Sequence, residues 1–533
     1  MPQTMQTANQ NDSVSVPSYL NVQQIGRSLS VLMLVPALYQ IIEFQDVQFN
    51  LVCTLWIYTI SLLARTVCLN GQLFSRSPFQ SLMVLAFDFT SLSGPLVLRS
   101  ISFEPVAGNL RLPLQTFLLA GFTALIICAV LVVYSGMHIK RVLLSEGFKP
   151  FFVRAGLFEP LNASQLLVLF VFGLLMNFAL KATSSIALAK IGDSFSVLFL
   201  APILIYCSNL FSTSDTRPRP VGWTTLTVYM AFSALLGIIY NSREILISAL
   251  VVLAIAYALK FRNPQTQTIE RHPLQWLALA ILITLGFLFY ERLAQAMVAV
   301  RGFRGTVGVG EMLSLTAQAF LDSEYLSTYS FTDERVDDAF SDTYGQSYVQ
   351  SRLLSRFVLT KHQDSLLYWG SMLGPEDLAE LWHYRLIQLL SILPQPVLQF
   401  FAPEMVKDSS YSIADIAVNM VAGAELGGQR TGSLFIDTWF AVGWYFPIAM
   451  IGIAFLLFAI VDFLSISKGM GLFFSPLLIL MSWKLLGTLG AYGFGADSLI
   501  AFISFVIRTF PQTLLMYLLS IAIVRALVKN PAP

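Results

Sequence analysis

Apolar runs of about twenty residues recur along this chain, and they constrain its fold more than any other feature. "LQTFLLAGFTALIICAVLVVYSG" (114–136) is one of them. A helix crossing a bilayer needs roughly 20 consecutive mostly apolar residues, and only a helix or a closed barrel satisfies every backbone polar group there. Runs of this kind fall near 28–43, 49–68, 79–99, 114–136, 164–181, 193–211, 222–241, 243–260, 274–292, 433–462, 471–489 and 498–525. The first is short, and the last carries Pro511, which predicts a kink or break. Of the 533 residues 56% are hydrophobic and 12% charged, with a mean hydropathy of +0.69; a soluble domain carries roughly 25% charged residues. The expected fold class is an all-α polytopic membrane protein with about twelve transmembrane helices, not a soluble enzyme with an anchor.

Lys and Arg in short loops set the orientation. With a cytoplasmic N-terminus, fifteen fall in inside loops and five in outside ones. Both termini are then expected to be cytoplasmic. Residues 1–27 read as a disordered tail without the positive start of a signal peptide. Residues 28–292 hold nine helices, 293–432 a large outer (periplasmic) loop, 433–525 three more helices, and 526–533 a short tail. The loop carries sixteen acidic and nine basic residues. It is too apolar at helical spacing to be disordered: "GPEDLAELWHYRLIQLLSILPQPVL" opens on Pro375, Glu376 and Asp377, a helix-start pattern, and Pro394 and Pro396 close it. The loop is therefore expected to be a helical subdomain on the outer membrane surface.

Net charge is +1, and no basic stripe with interleaved aromatics suggests nucleic acid. Cys53, Cys68, Cys128 and Cys207 all lie in or beside apolar runs, which argues for small core residues over disulfides or a metal site. There is no P-loop, no GxSxG elbow and no HExxH motif. No metal and no cofactor is expected.

The residues able to do chemistry cluster on the outer side. "YNSREIL" (240–246) puts Arg243 where Arg is statistically disfavoured. Glu244 points about 100° away on a helix and is not an assured partner. Arg243 either snorkels to headgroups or clamps a phosphate. Arg352 and Arg356 share a helix face. Arg385 lies at the edge of an apolar face formed by Leu378, Leu381, Trp382 and Leu389, and Arg430 precedes the tenth span. Solvated charge is the plain reading of any one of them. Together they offer planar forks for a lipid diphosphate. His383 could act as a base, with Asp408, Asp415, Glu425 and Asp437 as acidic alternatives. Trp369, Trp382 and Tyr384 could hold sugar rings or simply pack. Asp88, Lys484 and Arg508 lie within spans, either as structural pairs or facing a cavity.

This layout resembles the bacterial polysaccharide polymerases of the Wzy type and the related O-antigen ligases. The local likeness runs through "WHYRLIQLLSILPQPVLQFFAPE" (382–404) and "GGQRTGSLFIDTWFAVGWYFPIAMIGIA" (427–454). Tyr384, Leu393-Pro394, Pro403, Gly427-Gly428 and Asp437 fill the family's places. Gln395 stands where the family often has Arg, Asp437 where it often has Glu, and Phe446 near its second helix-entry Gly. The resemblance implies a membrane-embedded C-type glycosyltransferase, inverting and metal-independent, that joins undecaprenyl-diphosphate-linked repeat units. His383, Glu425 and Asp437 would be candidates for the catalytic group. Arg243, Arg352, Arg356, Arg385 and Arg430 would hold the diphosphate, and Trp382 and Tyr384 the sugar. A flippase and a chain-length regulator would be partners. A ligase using another acceptor, a transporter or flippase for lipid-linked sugars, and a non-catalytic subunit of an export complex are the alternatives. The absence of repeated halves or paired broken helices weighs against transport.

Overall fold

The computed structural model describes residues 22–528 except 138–148, 182, 184–185, 211–222, 240–242, 261–272, 301–306, 323–347, 350, 352–353, 394, 402–410, 425, 427–429, 469–470 and 487–492. The protein is an all-α multi-pass membrane protein. Among the described residues, eight helices are long and apolar enough to cross a bilayer. They are α1 (Val22–Glu43), α2 (Asn50–Cys68), α3 (Pro78–Ile101), α4 (Pro113–Gly136), α5 (Ala163–Lys181), the apolar stretch Leu188–Cys207, and the two long C-terminal spans Leu434–Phe463 and Leu499–Leu527. The stretch Leu188–Cys207 is α6 (Ile186–Phe195) continued as a tighter helix, Ser196–Leu210. Four more of the expected runs are also helical: α7 (Trp223–Ile239), α8 (Arg243–Lys260), α9 (Pro273–Ala299) and a shorter helix, Pro476–Leu486.

Several boundaries move. α1 begins at Val22, inside the stretch expected to be a disordered tail. The expected run 471–489 starts instead in an antiparallel hairpin, β1 (Ser465–Lys468) with β2 (Gly471–Phe474). Its helix starts only at Pro476, whose missing N–H suits a first helical position.

Two spans contain a π-turn, Phe89–Ser93 in α3 and Phe505–Thr509 in the last span. Each is followed within two residues by a proline at a helix start, Pro95 and Pro511. Proline cannot donate to the carbonyl four residues back and its ring collides with it; a π-turn absorbs the mismatch. The tenth span is likewise two pieces, α15 (Leu434–Val442) and α16 (Phe446–Phe463). They are separated at Gly443, whose φ of 55° lies in the left-handed region open to glycine.

Side-chain contacts sort into two ends. At one end, beside the hairpin, Asp462 accepts from Gln80 Nε2 at 2.8 Å and Tyr134 OH at 2.9 Å. Arg525 at that end pairs with Glu159 at 2.9 Å. At the opposite end, where the large loop joins, Arg99 is buried and donates to the carbonyls of Pro105 and Tyr348. Helices meet through small residues, as expected where lipid supplies no hydrophobic drive. Trp56, for example, lies over Gly121 and donates to the Phe117 carbonyl at 2.9 Å.

The loop does not simply rest on the surface. Its first described helix, α10 (Val309–Leu321), is capped at its C-terminal end by Arg292 of α9, which donates to the Phe320 carbonyl at 2.7 Å. The next, α11 (Thr360–Ser371), is polar yet buried on nearly every side. Leu359 N donates to the Thr90 carbonyl of the α3 π-turn at 3.0 Å, and Gln363 donates to Ser91 at 2.8 Å. Asp364 accepts from the backbone of Arg111 and Leu112 at 2.8 and 2.7 Å. α11 is thus wedged into the bundle. Burial pushes the Asp364 carboxyl upward, opposed by those two N–H donors.

Candidate functional site

The loop end brings together four segments that are distant in sequence. They are α12 (Pro375–Leu390), α14 (Ile413–Ala422), the start of α15, and the stretch 493–498 that leads into the last span, α18 (Leu499–Leu527). Between α12 and α14 lies α13 (Gln395–Phe401), and α17 is Pro476–Leu486.

α12 starts as the sequence suggests, with Pro375 at its first turn and Asp377 accepting from Gly374 N at 2.9 Å. Its inward face is not the expected one. Leu381 and Arg385 are buried, while Trp382 and Leu386 are 45% and 50% exposed. Arg385 is therefore at the centre of the packed face, not its edge. Its Nε donates to Asp437 Oδ1 at 3.2 Å, and Nη2 reaches the same oxygen. The other oxygen of Asp437 accepts from Leu499 N, at the start of α18, at 2.9 Å. One carboxylate so joins an arginine to the first N–H of a helix, where negative charge is favoured. Arg385 also lies against the Trp382 ring at 5.5 Å. Its Nη1 has no hydrogen-bond partner among the described residues.

A second buried pair lies beside this one. Ser412 and Asp415 form a capping box at the start of α14, with Asp415 N donating to Ser412 Oγ at 3.0 Å. Asp415 Oδ1 accepts from Arg430 Nη1 at 2.9 Å and from Arg430 N at 3.2 Å. Ser412 Oγ donates to the Arg430 carbonyl at 2.9 Å. Arg430 is thereby fixed where the chain enters α15.

Asp497 stands out in this frame. Leu434 N donates to the Ala496 carbonyl at 2.8 Å on one side of it. Ser498 caps α18 on the other side by accepting from Ala501 N at 3.1 Å. Its own side chain reaches the surface and has no hydrogen bond or ion pair among the described residues. Protein nonetheless crowds it, and the resulting desolvation pushes its carboxyl up to about 6. Gly432 presses on its backbone: a Cβ there would lie 2.2 Å from the Asp497 carbonyl oxygen. Gly432→Ala must therefore displace the 496–498 stretch. It is expected to destabilise the protein by about 1–3 kcal/mol, read as a lower melting temperature of the purified protein.

Of the residues singled out from sequence, Arg385 with Asp437, and Arg430 with the alternative Asp415, are brought together as pairs. His383 is exposed on α12, and Tyr384 is half-buried against the core. Trp369 packs inward with Arg111 over its ring at 5.2 Å. Arg243 opens α8 and Arg356 lies in a single tight turn, Leu354–Phe357, but their side chains are outside the described residues, as are Arg352, Asp408 and Glu425 altogether. Asp88 pairs with Arg65 at 3.6 Å and accepts from Ser61 at 2.5 Å and Ser93 at 2.8 Å. That network is the polar floor of an apolar groove of about 850 Å³ between α1 and α3. Lys484 reaches Ser196 Oγ at 3.5 Å. Sequence reasoning passed over Asp497. The available signal was an acidic residue in a glycine-rich stretch, "GTLGAYGFGADS", between two spans.

Fold and site define an all-α multi-pass membrane protein with a polar centre at the loop end. No family model, curated protein or solved structure matches the chain.

Proposed function

We propose that the protein is a glycosyltransferase of bacterial polysaccharide biosynthesis, polymerising undecaprenyl-diphosphate-linked oligosaccharide repeat units at the periplasmic face of the inner membrane. The resemblance of 382–404 and 427–454 to the Wzy-type polymerases motivates the reaction. The observation that carries the reading is Asp497, a surface-exposed carboxylate without a partner among the described residues, two positions before the Leu499 N–H that Asp437 accepts and packed at its backbone against Gly432, two positions after Arg430. In this reading Asp497 takes the proton of an acceptor sugar hydroxyl. The hydroxyl oxygen bonds to the anomeric carbon of the donor, and the bond from that carbon to the diphosphate breaks. The lipid diphosphate leaves with the electron pair, its charge stabilised by cations. Arg243, Arg352 and Arg356 are the sequence's candidates for that role. Arg385 and Arg430 are already engaged by aspartates and serve to hold the site in shape. Asp437 has both oxygens occupied, so it positions α18 instead of accepting a proton.

The test uses purified full-length protein and a synthetic polyprenyl-diphosphate oligosaccharide. A ladder of products differing by one repeat unit is expected. Products formed only with a different acceptor would assign the ligase reaction, and no product under any condition would remove the enzymatic reading. A base must be ionised to accept the proton. The rate should therefore fall as pH drops through about 6, the position of the Asp497 carboxyl. An acid limb that Asp497→Asn leaves unchanged would exclude Asp497 as the base.

A further inference from the structure

The loop subdomain carries an apolar surface that the reading above does not use. On α12, Leu381 and Arg385 face inward, while Trp382 and Leu386 on another flank are 45% and 50% exposed. On α13, Leu398 is buried and Val397 and Phe400 are 40% and 82% exposed. The first half of α12 exposes Glu376 and Glu380 instead. Beyond Arg385 the chain, "LIQLLSILPQPVLQFFAP" (386–403), has no charged residue before Glu404. A surface bathed in water has no reason to pass from acidic to uncharged and apolar along one helix. A helix whose far half lies in a lipid interface does.

Contacts between neighbouring spans fix the depth of this surface. α4 and α16 descend side by side. The Phe122 ring stacks on Phe446 at 6.5 Å, and Tyr134 near the far end of α4 donates to Asp462 near the far end of α16. Asp437 precedes Phe446 by as many residues as Pro113, the first residue of α4, precedes Phe122. Asp437 is therefore about level with the loop end of α4. The 24 residues of α4 rise about 36 Å, against a hydrocarbon thickness of roughly 30 Å. The loop end of α4 thus lies at the boundary between hydrocarbon and headgroups. Trp444 and Tyr445, 91% and 72% exposed just after α15, are the aromatic pair expected near such a boundary. Two contacts carry this level to the loop subdomain. Asp364 of α11, the helix before α12, accepts from the backbone of Arg111 and Leu112 just ahead of α4. Arg385 of α12 itself donates to Asp437.

We propose that the second half of α12 and α13 insert their apolar surface into the bilayer leaflet at the loop end, with Trp382 at headgroup depth and Leu386, Val397 and Phe400 against acyl chains. α12 then joins the lipid to the polar centre: its outer flank meets the leaflet, and its inner flank holds Asp437 through Arg385. The inference does not depend on the protein being a glycosyltransferase, and its test reads depth without turnover. The native cysteines, Cys53, Cys68, Cys128 and Cys207, are buried, so a spin label can be directed to an introduced surface thiol. Full-length Leu386→Cys, Val397→Cys and Glu376→Cys are labelled in lipid nanodiscs, one copy to a disc. Relaxation by oxygen, which concentrates in lipid, is compared with relaxation by a water-soluble nickel chelate. Labels at 386 and 397 should be open to oxygen, shielded from nickel, and about 5–10 Å below the headgroup boundary; the label at 376 should be open to nickel. Labels at 386 and 397 as open to nickel as the one at 376 overturn the proposal. So do labels shielded from both reagents, which would mean that protein covers the face. If the labelled variants do not fold, tryptophan fluorescence in discs of lipid brominated high on the acyl chain decides. The part of the emission that Trp382→Phe removes should be quenched by the bromolipid, and a part that is not quenched overturns the insertion.

Discussion

If the protein is the proposed glycosyltransferase, Asp497→Asn is expected to lower its rate by about 10²–10⁴-fold, the usual contribution of a positioned base, while leaving the protein in the membrane at its normal level. Asparagine matches aspartate in shape but cannot accept the proton. Little structural loss is expected, because the carboxylate makes no hydrogen bond or ion pair among the described residues and the 496–498 stretch is held by other atoms. The folded-state carboxyl sits near 6, above the ordinary value of about 4. The native state therefore binds the proton more tightly than the unfolded chain. Stability from this group is present below about pH 4 and is lost as pH rises from there through 6. At neutral pH the ionised side chain is mildly unfavourable, and Asn removes that term. The expected result at pH 7 is an inactive protein whose melting temperature is unchanged or slightly higher. A variant that keeps wild-type turnover removes Asp497 from the reaction. One that is inactive and also markedly less stable makes its role structural.

The multi-pass α-helical character is legible because each apolar run states its own length; the number of spans is less so, since eight of the expected twelve qualify as long apolar helices among the described residues. The two π-turns were half legible: Pro511 announced a distortion, but only the coordinates show that it is taken up as one wide turn before the proline. Pro95 lies in a run that reads as an ordinary span. The polar helix α11 was misplaced for a physical reason. Thr360, Gln363 and Asp364 have the composition of a solvated surface, and nothing local shows that the bundle supplies Ser91 and the backbone of Arg111 and Leu112 to satisfy them. The site was legible in its residues but not in its pairing. Arg385 and Asp437 are 52 positions apart, and nothing in that spacing shows that the fold pairs them. Asp497 carried no motif, since what distinguishes it is crowding by Gly432 and the turn into α18, which sequence spacing does not display.

Breaking the Arg385–Asp437 pair should have the largest effect on stability. Arg385→Met is expected to cost about 3–5 kcal/mol, the range for removing one partner of a buried ion pair, read by reversible unfolding in mixed micelles. Asp437 would remain buried with one oxygen unpaired, retaining only the Leu499 N–H. Asp437→Leu should cost a similar amount, because it strands the guanidinium and also uncaps the start of α18. The double variant should be less destabilised than the sum of the two. Once both charges are gone, no uncompensated group remains, and apolar side chains of similar volume can fill the space. Activity should behave differently from stability. With Asp437 gone, α18 loses the acceptor for its first N–H, two residues after Asp497, so the double variant should regain folding without regaining turnover. Strictly additive single-variant costs would mean that the two side chains do not interact. A double variant that recovered turnover along with folding would show that Asp497 is positioned by Ala496 and Ser498 alone, with no contribution from the cap on Leu499.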